Sequence, residues 1–374
     1  MAEQSAPRAE VVVDLDAIRH NVRLLAARAA GQGAATMAVV KADAYGHGAI
    51  PVAKAALEAG ATWLGSCSLA EGLALREAGL RANILSWLDL PATDLAPGVE
   101  AGIDLAASST RELHAIADAG HRAGRRPRVH LKIDTGLSRN GCPPHEWPAL
   151  IAAAVKSDVD VVAIWSHLAC ADEPGHKSVD VQADRFDHAY RVATDNGLTP
   201  QRHLANSAAT LTRPDLHFDL VRVGIAMYGL NPVPQHEDLK PAMTFRSSVA
   251  LTKRIAAGES VSYGQTWTAE QDTTLALVPA GYADGVPRLL SSRMDVWLAG
   301  RRRPIVGRVC MDQFIVDCGD DEVSEEDTVI LFGDGANGGP TAREWADTIG
   351  TIDYEIVTGM HRPRVQRTYT GTRG

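Results

Sequence analysis

The sequence has few cysteines, and none of them forms a recognisable pair. There are five, an odd number, and they are scattered without a CxxC motif. They are Cys67, Cys142, Cys170, Cys310 and Cys318. Small secreted domains depend on paired cysteines, and most cytosolic proteins do not. This cysteine usage therefore predicts a reduced, cytoplasmic protein without a disulfide framework.

Long hydrophobic runs are also missing. No window approaches the roughly 18 consecutive apolar residues of a membrane-spanning helix. The opening segment, MAEQSAPRAE, lacks the basic stretch followed by an apolar run that marks a secretory signal. We therefore expect no membrane partner.

Positive charge is in deficit. The chain has 37 Lys and Arg against 46 Asp and Glu, a net charge of −9, which argues against a broad footprint on nucleic-acid phosphates. His167, Cys170 and His176 lack a fourth ligand at a spacing suited to zinc, so we expect no metal site. The length of 374 residues fits two domains, or one large barrel with an appendage.

Short apolar runs alternate with helical patterns between about residues 36 and 230. The runs cover residues 36–40, 61–66, 82–88, 102–108, 128–134, 159–167, 201–207 and 218–224. Amphipathic stretches that stop at glycine or a polar residue predict helices over residues 50–60, 68–79, 111–124, 145–157 and 182–197. Eight such runs favour a parallel (β/α)8 TIM-type barrel, and a doubly wound open sheet is the alternative.

The pattern changes after about Pro241. Runs such as TTLALVPA, PIVGRVCMD and DTVILFG follow one another with turns and no intervening helix, until a helix predicted over residues 341–350. This is typical of a mostly antiparallel β domain. We therefore divide the chain into a barrel over residues 1–240 and a C-terminal β domain over residues 241–374. A first strand near residues 10–14 is a candidate to join the β domain.

Polar side chains collect at the carboxyl ends of the predicted barrel strands, where barrel enzymes place their active sites. Taken singly, each has an ordinary structural explanation, such as a helix cap, an ion pair or a lysine that reaches solvent. Together they predict a site, and they are Lys41, Lys132, Arg139, His167, Asn206, Ser207, Arg222, Gly224 and Ile225.

The last two barrel strands predict a phosphate site. The backbone N–H groups of Gly224 and Ile225 follow strand eight, and Ser207 follows strand seven; barrels commonly bind phosphate at this place. A lysine, a phosphate cradle and a cationic group near a ring are the features that pyridoxal 5'-phosphate requires of a protein.

Eight segments carry a resemblance to a known family. They are KADAYGHG, KIDTGLSRNG, SHLACAD, HLANSAA, VRVGIAMYGL, VSYGQTW, GYADG and GRVCMDQ. In this order, and over about residues 10–355, they resemble the alanine racemases, pyridoxal-phosphate enzymes of fold-type III. The resemblance implies an isomerase that interconverts L-alanine and D-alanine and supplies D-alanine for peptidoglycan.

The resemblance implies a reaction with two bases. Lys41 resembles the lysine that forms the Schiff base with the cofactor and also acts as one base, and Tyr263 resembles the second base on the opposite face. Two bases are needed because a single one tends to return the proton to the face it left. A free tyrosine has a pKa of about 10, so a basic tyrosine needs positive charge or hydrogen bonds nearby. His167 and Arg222 resemble the residues that supply them, with Arg222 at the pyridine nitrogen.

The remaining site residues are implied in the same way. The phosphate-site region corresponds to Tyr45, Asn206, Ser207, Gly224 and Ile225. Arg139 and the backbone N–H of Met311 resemble the ligands of the substrate carboxylate, and Tyr282 resembles a tyrosine that narrows the entrance. Lys132 stands at a position that is carbamylated in some members. The tail departs from the family pattern, because His361 stands where a tyrosine is common, and we leave His361 out of the site.

The resemblance further implies a head-to-tail homodimer in which Tyr263 and Met311 come from the partner; the sequence alone leaves open whether one chain or two complete the site. Three alternatives also remain. A racemase of broader specificity, for example for serine, needs only a different pocket size. A fold-type III amino-acid decarboxylase lacks the SYG tyrosine and the CMDQ segment. A cofactor-binding barrel without turnover is typically a single domain.

Overall fold

The computed structural model describes residues 7–235 and 237–371, and the chain separates into two compact units. The first, here called the β unit, comprises Met1–Ala17, Tyr45–His47 and Lys240–Gly374. The second, here called the barrel unit, comprises Ile18–Ala44 and Gly48–Leu239. Each unit has its own sheet.

The strands of the first 240 residues are short. In chain order they are β1 (Glu10–Asp14), β2 (Ala35–Val39), β3 (Trp63–Ser66), β4 (Asn83–Ser86), β5 (Asp104–Ala107), β6 (Arg128–Lys132), β7 (Asp160–Trp165), β8 (Gln201–His203) and β9 (Leu220–Val223). The helices are α1 (Leu15–Ala30), α2 (Ala49–Glu58), α3 (Leu69–Glu77), α4 (Ala96–Glu100), α5 (Thr110–Ala123), α6 (Trp147–Lys156), α7 (Lys177–Asp195) and α8 (Ser207–Thr212).

Strands β2 to β9 form one parallel eight-stranded sheet in the order β8-β7-β6-β5-β4-β3-β2-β9. The sheet closes between its two ends, where the N–H of Arg222 donates to the carbonyl of Ala205 at 3.0 Å and that of Asp219 to Arg202 at 3.1 Å. The predicted (β/α)8 barrel is confirmed, and the open-sheet alternative is wrong. Each predicted apolar run overlaps one of these strands.

The helices of the barrel unit begin and end where local chemistry requires. Ser68 caps α3 through a capping box with Glu71, and Ser109 caps α5 by accepting the N–H of Glu112. Helix α5 ends at Gly124, whose φ of 61° is left-handed and suits a residue without a side chain. These caps fix the helices against buried strands and hold the loops at the carboxyl ends of the sheet.

The β unit contains the later strands and two helices. They are β10 (Met243–Ser248), β11 (Leu251–Ile255), β12 (Ser260–Val261), β13 (Trp267–Thr268), β14 (Thr273–Val278), β15 (Asp295–Leu298), β16 (Arg301–Val306), β17 (Phe314–Gly319), β18 (Thr328–Phe332) and β19 (Gln366–Thr370), with α9 (Ala342–Ile349) and α10 (Asp353–Gly359). Its nine-stranded sheet has the order β11-β14-β17-β16-β15-β18-β10-β1-β19. The pairing is antiparallel except between β1 and β19, so β1 belongs to this mostly antiparallel sheet.

The structure adds helices that the sequence patterns did not predict. Helix α10 follows α9 directly, but it has only seven residues and includes Gly359, too little for a clear helical period. Helix α7 begins at Lys177, five residues before the predicted start, because His176 accepts the N–H of Ser178 as its cap.

Among the described residues, no helix is long and apolar enough to cross a membrane.

Candidate active site

Lys41 lies at the carboxyl end of β2, at the start of a left-handed turn. Residues 42–45 have φ of 51°, 52°, 54° and 53°, although none of them is glycine. A left-handed helical conformation costs an L-residue about 1–2 kcal/mol, so four in succession need support from their surroundings. The backbone carbonyl of Asp43 accepts the N–H of Gly48 at 2.8 Å, and its side chain accepts the N–H of Ala49 at 2.8 Å. Strain of this kind is typical of functional sites.

Glu71 supports the same turn from α3. One of its carboxylate oxygens, Oε1, accepts the N–H of Ala42 at 2.8 Å. The other, Oε2, accepts the N–H of Cys67 at 2.7 Å and that of Ser68 at 3.3 Å. The cap of α3 and the residue after Lys41 are therefore held by one side chain, which the sequence analysis missed. The capping-box spacing of Ser68 and Glu71 was the available signal.

Lys132, at the end of β6, is only 4% exposed. Its Nζ donates to the side-chain oxygen of Asn140 and lies 4.2 Å from the ring centroid of Trp165. Burial, together with the charges of Arg222 and Arg139, lowers the pKa of Lys132 to about 7. A large neutral fraction at neutral pH makes this amine a nucleophile.

Arg222, at the end of β9, is buried. Among the described residues, its side chain makes hydrogen bonds through Nη1 and Nη2. Nη1 donates to the carbonyl of His203 at 2.9 Å and to its Nδ1 at 3.0 Å. Nη2 donates to the carbonyls of Ser166 at 2.7 Å and Leu204 at 3.1 Å, and to Nδ1 of His167 at 3.3 Å. Burial lowers the pKa of Arg222 to about 9, so the guanidinium remains a cation at neutral pH.

His167 is a neutral histidine whose tautomer follows from its neighbour. Burial, followed by the charge of Arg222, lowers the pKa of His167 well below its ordinary value. Because a guanidinium only donates, Nδ1 of His167 must accept, and the ring proton lies on Nε2. His167 therefore presents one N–H donor away from Arg222.

His203, which contacts Arg222, also contacts a further histidine, His130, and the sequence analysis missed both. Nε2 of His203 lies 2.9 Å from Nδ1 of His130, whose Nε2 lies 3.1 Å from Oδ2 of Asp104. His130 precedes Lys132 by two residues on β6, and side chains two residues apart on a strand share a face. That spacing was a signal for His130; none identified Asp104 as its partner.

Ser207 lies between the last two strands, where phosphate was predicted. Its Oγ accepts the N–H of Gly224 at 2.8 Å and that of Ala226 at 3.3 Å, which leaves its own hydroxyl hydrogen to donate. Asn206 caps α8 through the N–H of Ala209 at 3.0 Å, and Ile225 begins a short 3₁₀ turn, Ile225–Tyr228. The hydroxyl hydrogen of Ser207 is a donor that suits a phosphate group.

In the β unit, Tyr263 is 72% exposed and stands on a tight turn, Tyr263–Gln265. The preceding residue, Ser262, has φ of 65°. Gly264 has φ of 76° and lies against the guanidinium of Arg308. Ser262 Oγ donates to the carbonyl of Arg308 at 2.8 Å. The turn that carries Tyr263 is therefore fastened to the segment that leads to Met311.

Tyr282 and Met311 meet in the same region of the β unit. The N–H of Tyr282 donates to the carbonyl of Cys310 at 3.0 Å, and a Cβ on Gly281 would lie 2.4 Å from the carbonyl oxygens of Cys310 and Met311. Only glycine permits this approach. Met311 and Tyr282 are 52% and 41% exposed, so three predicted site residues share one exposed region.

A buried carboxylate, also missed, fixes this region. Asp284 is fully buried, accepts the N–H of Gly281 at 2.9 Å and pairs with Arg8 at 2.6 Å. Arg364 lies 3.5 Å from the same carboxylate and 2.7 Å from Asp312, the residue after Met311. Arg8 and Arg364 thus brace the loops that carry Tyr282 and Met311.

Tyr45 and the tail residues occupy another part of the β unit. The rings of Tyr45 and Tyr354 lie 6.1 Å apart, and burial raises the pKa of Tyr45. His361 accepts at Nδ1 from Arg367 at 3.0 Å. Tyr354 is therefore an aromatic neighbour of Tyr45 that the sequence analysis did not name.

The predicted site residues fall into two sets, one in each unit. The barrel unit brings a set of cationic and hydrogen-bonding groups to the carboxyl ends of its strands: Lys41, Lys132, Arg139, His167, Asn206, Ser207, Arg222, Gly224 and Ile225. The charges of Lys41, Arg139 and Arg222 all act on Lys132, which places them in one electrostatic environment. An amine, a buried guanidinium and a phosphate cradle fit pyridoxal phosphate.

Two sequence families match the chain. The family described as alanine racemase, N-terminal domain, matches residues 13–232, and that described as alanine racemase, C-terminal domain, matches residues 242–369. A curated relative, the alanine racemase of Salinispora arenicola, is 55% identical over 372 residues, which cover 98% of this chain and 99% of the relative.

Solved structures agree. The crystal structure of alanine racemase from D-cycloserine-producing Streptomyces lavendulae superposes with a TM-score of 0.95 at 47% identity and covers 99% of both chains. That from Bartonella henselae, with covalently bound pyridoxal phosphate, has a TM-score of 0.89 at 30% identity and covers 98% of this chain and 100% of its own.

Proposed function

The chain belongs to the alanine racemase family, and we propose that it interconverts L-alanine and D-alanine by proton transfer between two bases, Lys41 and Tyr263. The observation that carries the proposal is the shared rim of the barrel unit, with the amine of Lys41, the buried guanidinium of Arg222 and the hydroxyl of Ser207. These groups match the aldehyde, the ring nitrogen and the phosphate of pyridoxal phosphate, the cofactor of the family.

The cofactor would be held by groups of distinct chemistry. Lys41 would bind its aldehyde carbon, Arg222 its pyridine nitrogen and Ser207 its phosphate, and the family resemblance assigns Gly224, Ile225, Asn206 and Tyr45 to the phosphate as well. When bound, pyridoxal phosphate withdraws electrons from the substrate's α-carbon and so acidifies the proton there. Arg222 resists giving up its proton, so the ring nitrogen keeps a hydrogen bond and receives no proton from it.

The protein's own groups decide where the proton goes. The Nζ of Lys41 serves one face of the α-carbon and the Oη of Tyr263 the other, each taking the proton in one direction and delivering it in the reverse. The Nε2–H of His167 is the donor we assign to Tyr263. Arg139 and the N–H of Met311 hold the substrate carboxylate, and Tyr282 narrows the entrance.

We further propose that the active form is a head-to-tail homodimer. Tyr263, Met311 and Tyr282 are 72%, 52% and 41% exposed on neighbouring segments of the β unit, and a group of exposed large side chains marks an interaction surface. In a symmetric dimer, each protomer would donate Tyr263 and Met311 to the barrel of the other.

The enzyme would work in the cytoplasm and supply D-alanine for peptidoglycan. The five cysteines are free thiols, which supports a reducing compartment. Cells that obtain D-alanine only from this enzyme would need added D-alanine to grow when its gene is deleted.

A substrate panel tests the proposed function. The purified enzyme should racemise alanine in both directions, detected with a D-amino-acid oxidase, and Lys41→Ala should abolish it. Serine in the panel reports on substrate breadth. Release of carbon dioxide from any amino acid, without racemisation, would instead favour the decarboxylase and contradict the assignment.

A further inference from the structure

Two histidines and an aspartate extend from Arg222 through the interior of the barrel. Nη1 of Arg222 lies 3.0 Å from Nδ1 of His203, Nε2 of His203 lies 2.9 Å from Nδ1 of His130, and Nε2 of His130 lies 3.1 Å from Oδ2 of Asp104. The four side chains are between 0% and 4% exposed. They form a continuous hydrogen-bonded chain that solvent does not reach.

The direction of every hydrogen bond in this chain is determined. A guanidinium only donates, so Nδ1 of His203 accepts and the proton of the neutral ring is on Nε2. Nε2–H of His203 then donates to Nδ1 of His130, and the proton of that ring is also on Nε2. Nε2–H of His130 donates to the carboxylate of Asp104. All donors point from Arg222 towards Asp104.

The reverse direction is chemically excluded. If His130 donated through Nδ1, Nε2 of His203 would have to accept. His203 would then carry no ring proton, as an imidazolate, or would carry one on Nδ1, 3.0 Å from a second donor on Arg222. Burial, followed by the charge of Arg222, lowers the pKa of His203 well below its ordinary value, which keeps the ring neutral.

Asp104 terminates the chain as a carboxylate. Arg128 donates from Nε to Oδ1 at 2.8 Å and from Nη2 to Oδ2 at 3.1 Å. Burial alone would raise the pKa of Asp104, but the hydrogen bonds from His130 and Arg128 outweigh it, and its pKa lies below the ordinary value. An ionised carboxylate only accepts, so it fixes the tautomer of His130.

Two tryptophans hold the imidazole rings in place. Trp165 stacks on His203 with ring centroids 5.4 Å apart and an interplanar angle of 13°. Trp63 meets His130 edge-on at 5.3 Å and 72°. Because protein interiors are close-packed, neither ring has room to turn over and exchange its nitrogen atoms.

We propose that Asp104, His130 and His203 form a positioning relay that fixes the acceptor at Nδ1 of His203 and thereby the plane of the Arg222 guanidinium. The inference rests on the proposed role of Arg222 at the pyridine nitrogen. The three relay residues do not touch substrate; they act through Arg222. Because Arg222 serves both enantiomers alike, loss of the relay lowers the rates of both directions together.

Neutron diffraction of the holoenzyme tests the relay without reference to catalysis. Crystals exchanged into deuterated solvent should show deuterium on Nε2 of both His130 and His203, and none on either Nδ1. Deuterium on Nδ1 of His203 would overturn the proposal. This result stands or falls independently of whether the enzyme is a racemase.

Kinetics of Asp104→Asn test the functional consequence. An amide that donates to Nε2 of His130 favours the reversed tautomers, which place a proton on Nδ1 of His203 and break its hydrogen bond with Arg222. We therefore expect kcat to fall about 10–100-fold in both directions, the range seen when partners of functional histidines are removed from metal sites. KM should change much less. The matched control is Asp160→Asn, since the exposed Asp160 carboxylate also faces Arg128, at 3.8 Å, but lies outside the relay. An unchanged kcat in Asp104→Asn, in crystals whose neutron diffraction shows the tautomers of His130 and His203 reversed, would contradict the proposal.

His130 variants separate positioning from packing. Gln can accept from His203 and donate to Asp104, whereas Phe fills the space without either hydrogen bond. We expect His130→Gln to retain clearly more activity than His130→Phe. Equal activities would mean that His130 only packs the barrel, and the relay would be wrong. If a variant fails to fold, the neutron measurement still decides.

Discussion

Glu71 accepts the backbone N–H of Ala42 at 2.8 Å, and so ties the residue after Lys41 to the first turn of α3. This hydrogen bond offsets part of the conformational free energy that the left-handed turn at residues 42–45 costs. The amine of Lys41 is therefore positioned by a carboxylate on a different element, 30 residues along the chain.

Glu71→Ala should weaken the retention of pyridoxal phosphate. Without its carboxylate the turn is free to relax to the right-handed conformation and move Lys41, so we expect about tenfold faster loss of cofactor on dialysis, corresponding to about 1.4 kcal/mol. The absorbance of the bound cofactor measures it. Glu112→Ala is the control, because Glu112 caps α5 in the same way, accepting the N–H of Ser108 at 2.6 Å. Equal losses in both variants would show that capping alone matters.

Ser207→Ala should lower the affinity for the cofactor. Ser207 accepts two backbone N–H groups, and its hydroxyl is left as a donor for the phosphate. A hydrogen bond to a charged group contributes about 1.5–3 kcal/mol, so the Kd should rise about 10–100-fold. Titration of the apoenzyme with pyridoxal phosphate measures the change. Thr212→Val, on the same helix, should bind like the wild type; an unchanged Kd in Ser207→Ala would remove Ser207 from the phosphate site.

Lys132 should react with carbon dioxide in a pH-dependent manner. Its pKa is lowered to about 7, and carbamylation needs the neutral amine. The neutral fraction rises with pH through 7, so the carbamate signal in ¹³C NMR with labelled bicarbonate should grow between about pH 6 and 8. Lys132→Arg, which stays charged, is the control. Absence of a signal at pH 8 would leave Asn140 as the permanent partner of the free amine.

The barrel could be predicted from the sequence because each strand is a short apolar run and many helices end at glycine. The turn after Lys41 could not. Ala42 and Ala44 disfavour positive φ, Asp43 alone tolerates it, and KADAY is typical of an ordinary right-handed helix start. In this conformation the N–H of Ala42 donates to Glu71, which lies on the next strand-helix unit. Tertiary contacts, rather than local preference, decide it.

The candidate site divides in the same way. Side chains at the carboxyl ends of the strands were predictable because a parallel barrel puts these ends on one face. The partners of Arg222 were not, since His203 and His130 are 73 residues apart and Asp104 is a further 26 residues away. Roles assigned from the family resemblance, such as those of Tyr263 and Arg139, stay predictions for the experiments here.

Mixed dimers test the proposed exchange of residues between protomers. Lys41→Ala and Tyr263→Phe should each be inactive as homodimers. After dissociation and random reassociation, half of the dimers are mixed and hold one intact site of two, so roughly a quarter of the wild-type activity should return. If each chain completes its own site, no activity returns, and the head-to-tail arrangement is wrong.

The most direct test of the two-base account is exchange of the α-proton with deuterated solvent by Tyr263→Phe. With Lys41 as the remaining base, ¹H NMR should show exchange into one enantiomer of alanine only, without inversion, while the wild type exchanges and racemises both. Tyr190→Phe, on the surface helix α7, serves as the control and should behave like the wild type. Exchange and racemisation of both enantiomers at the wild-type rate by Tyr263→Phe would contradict the account.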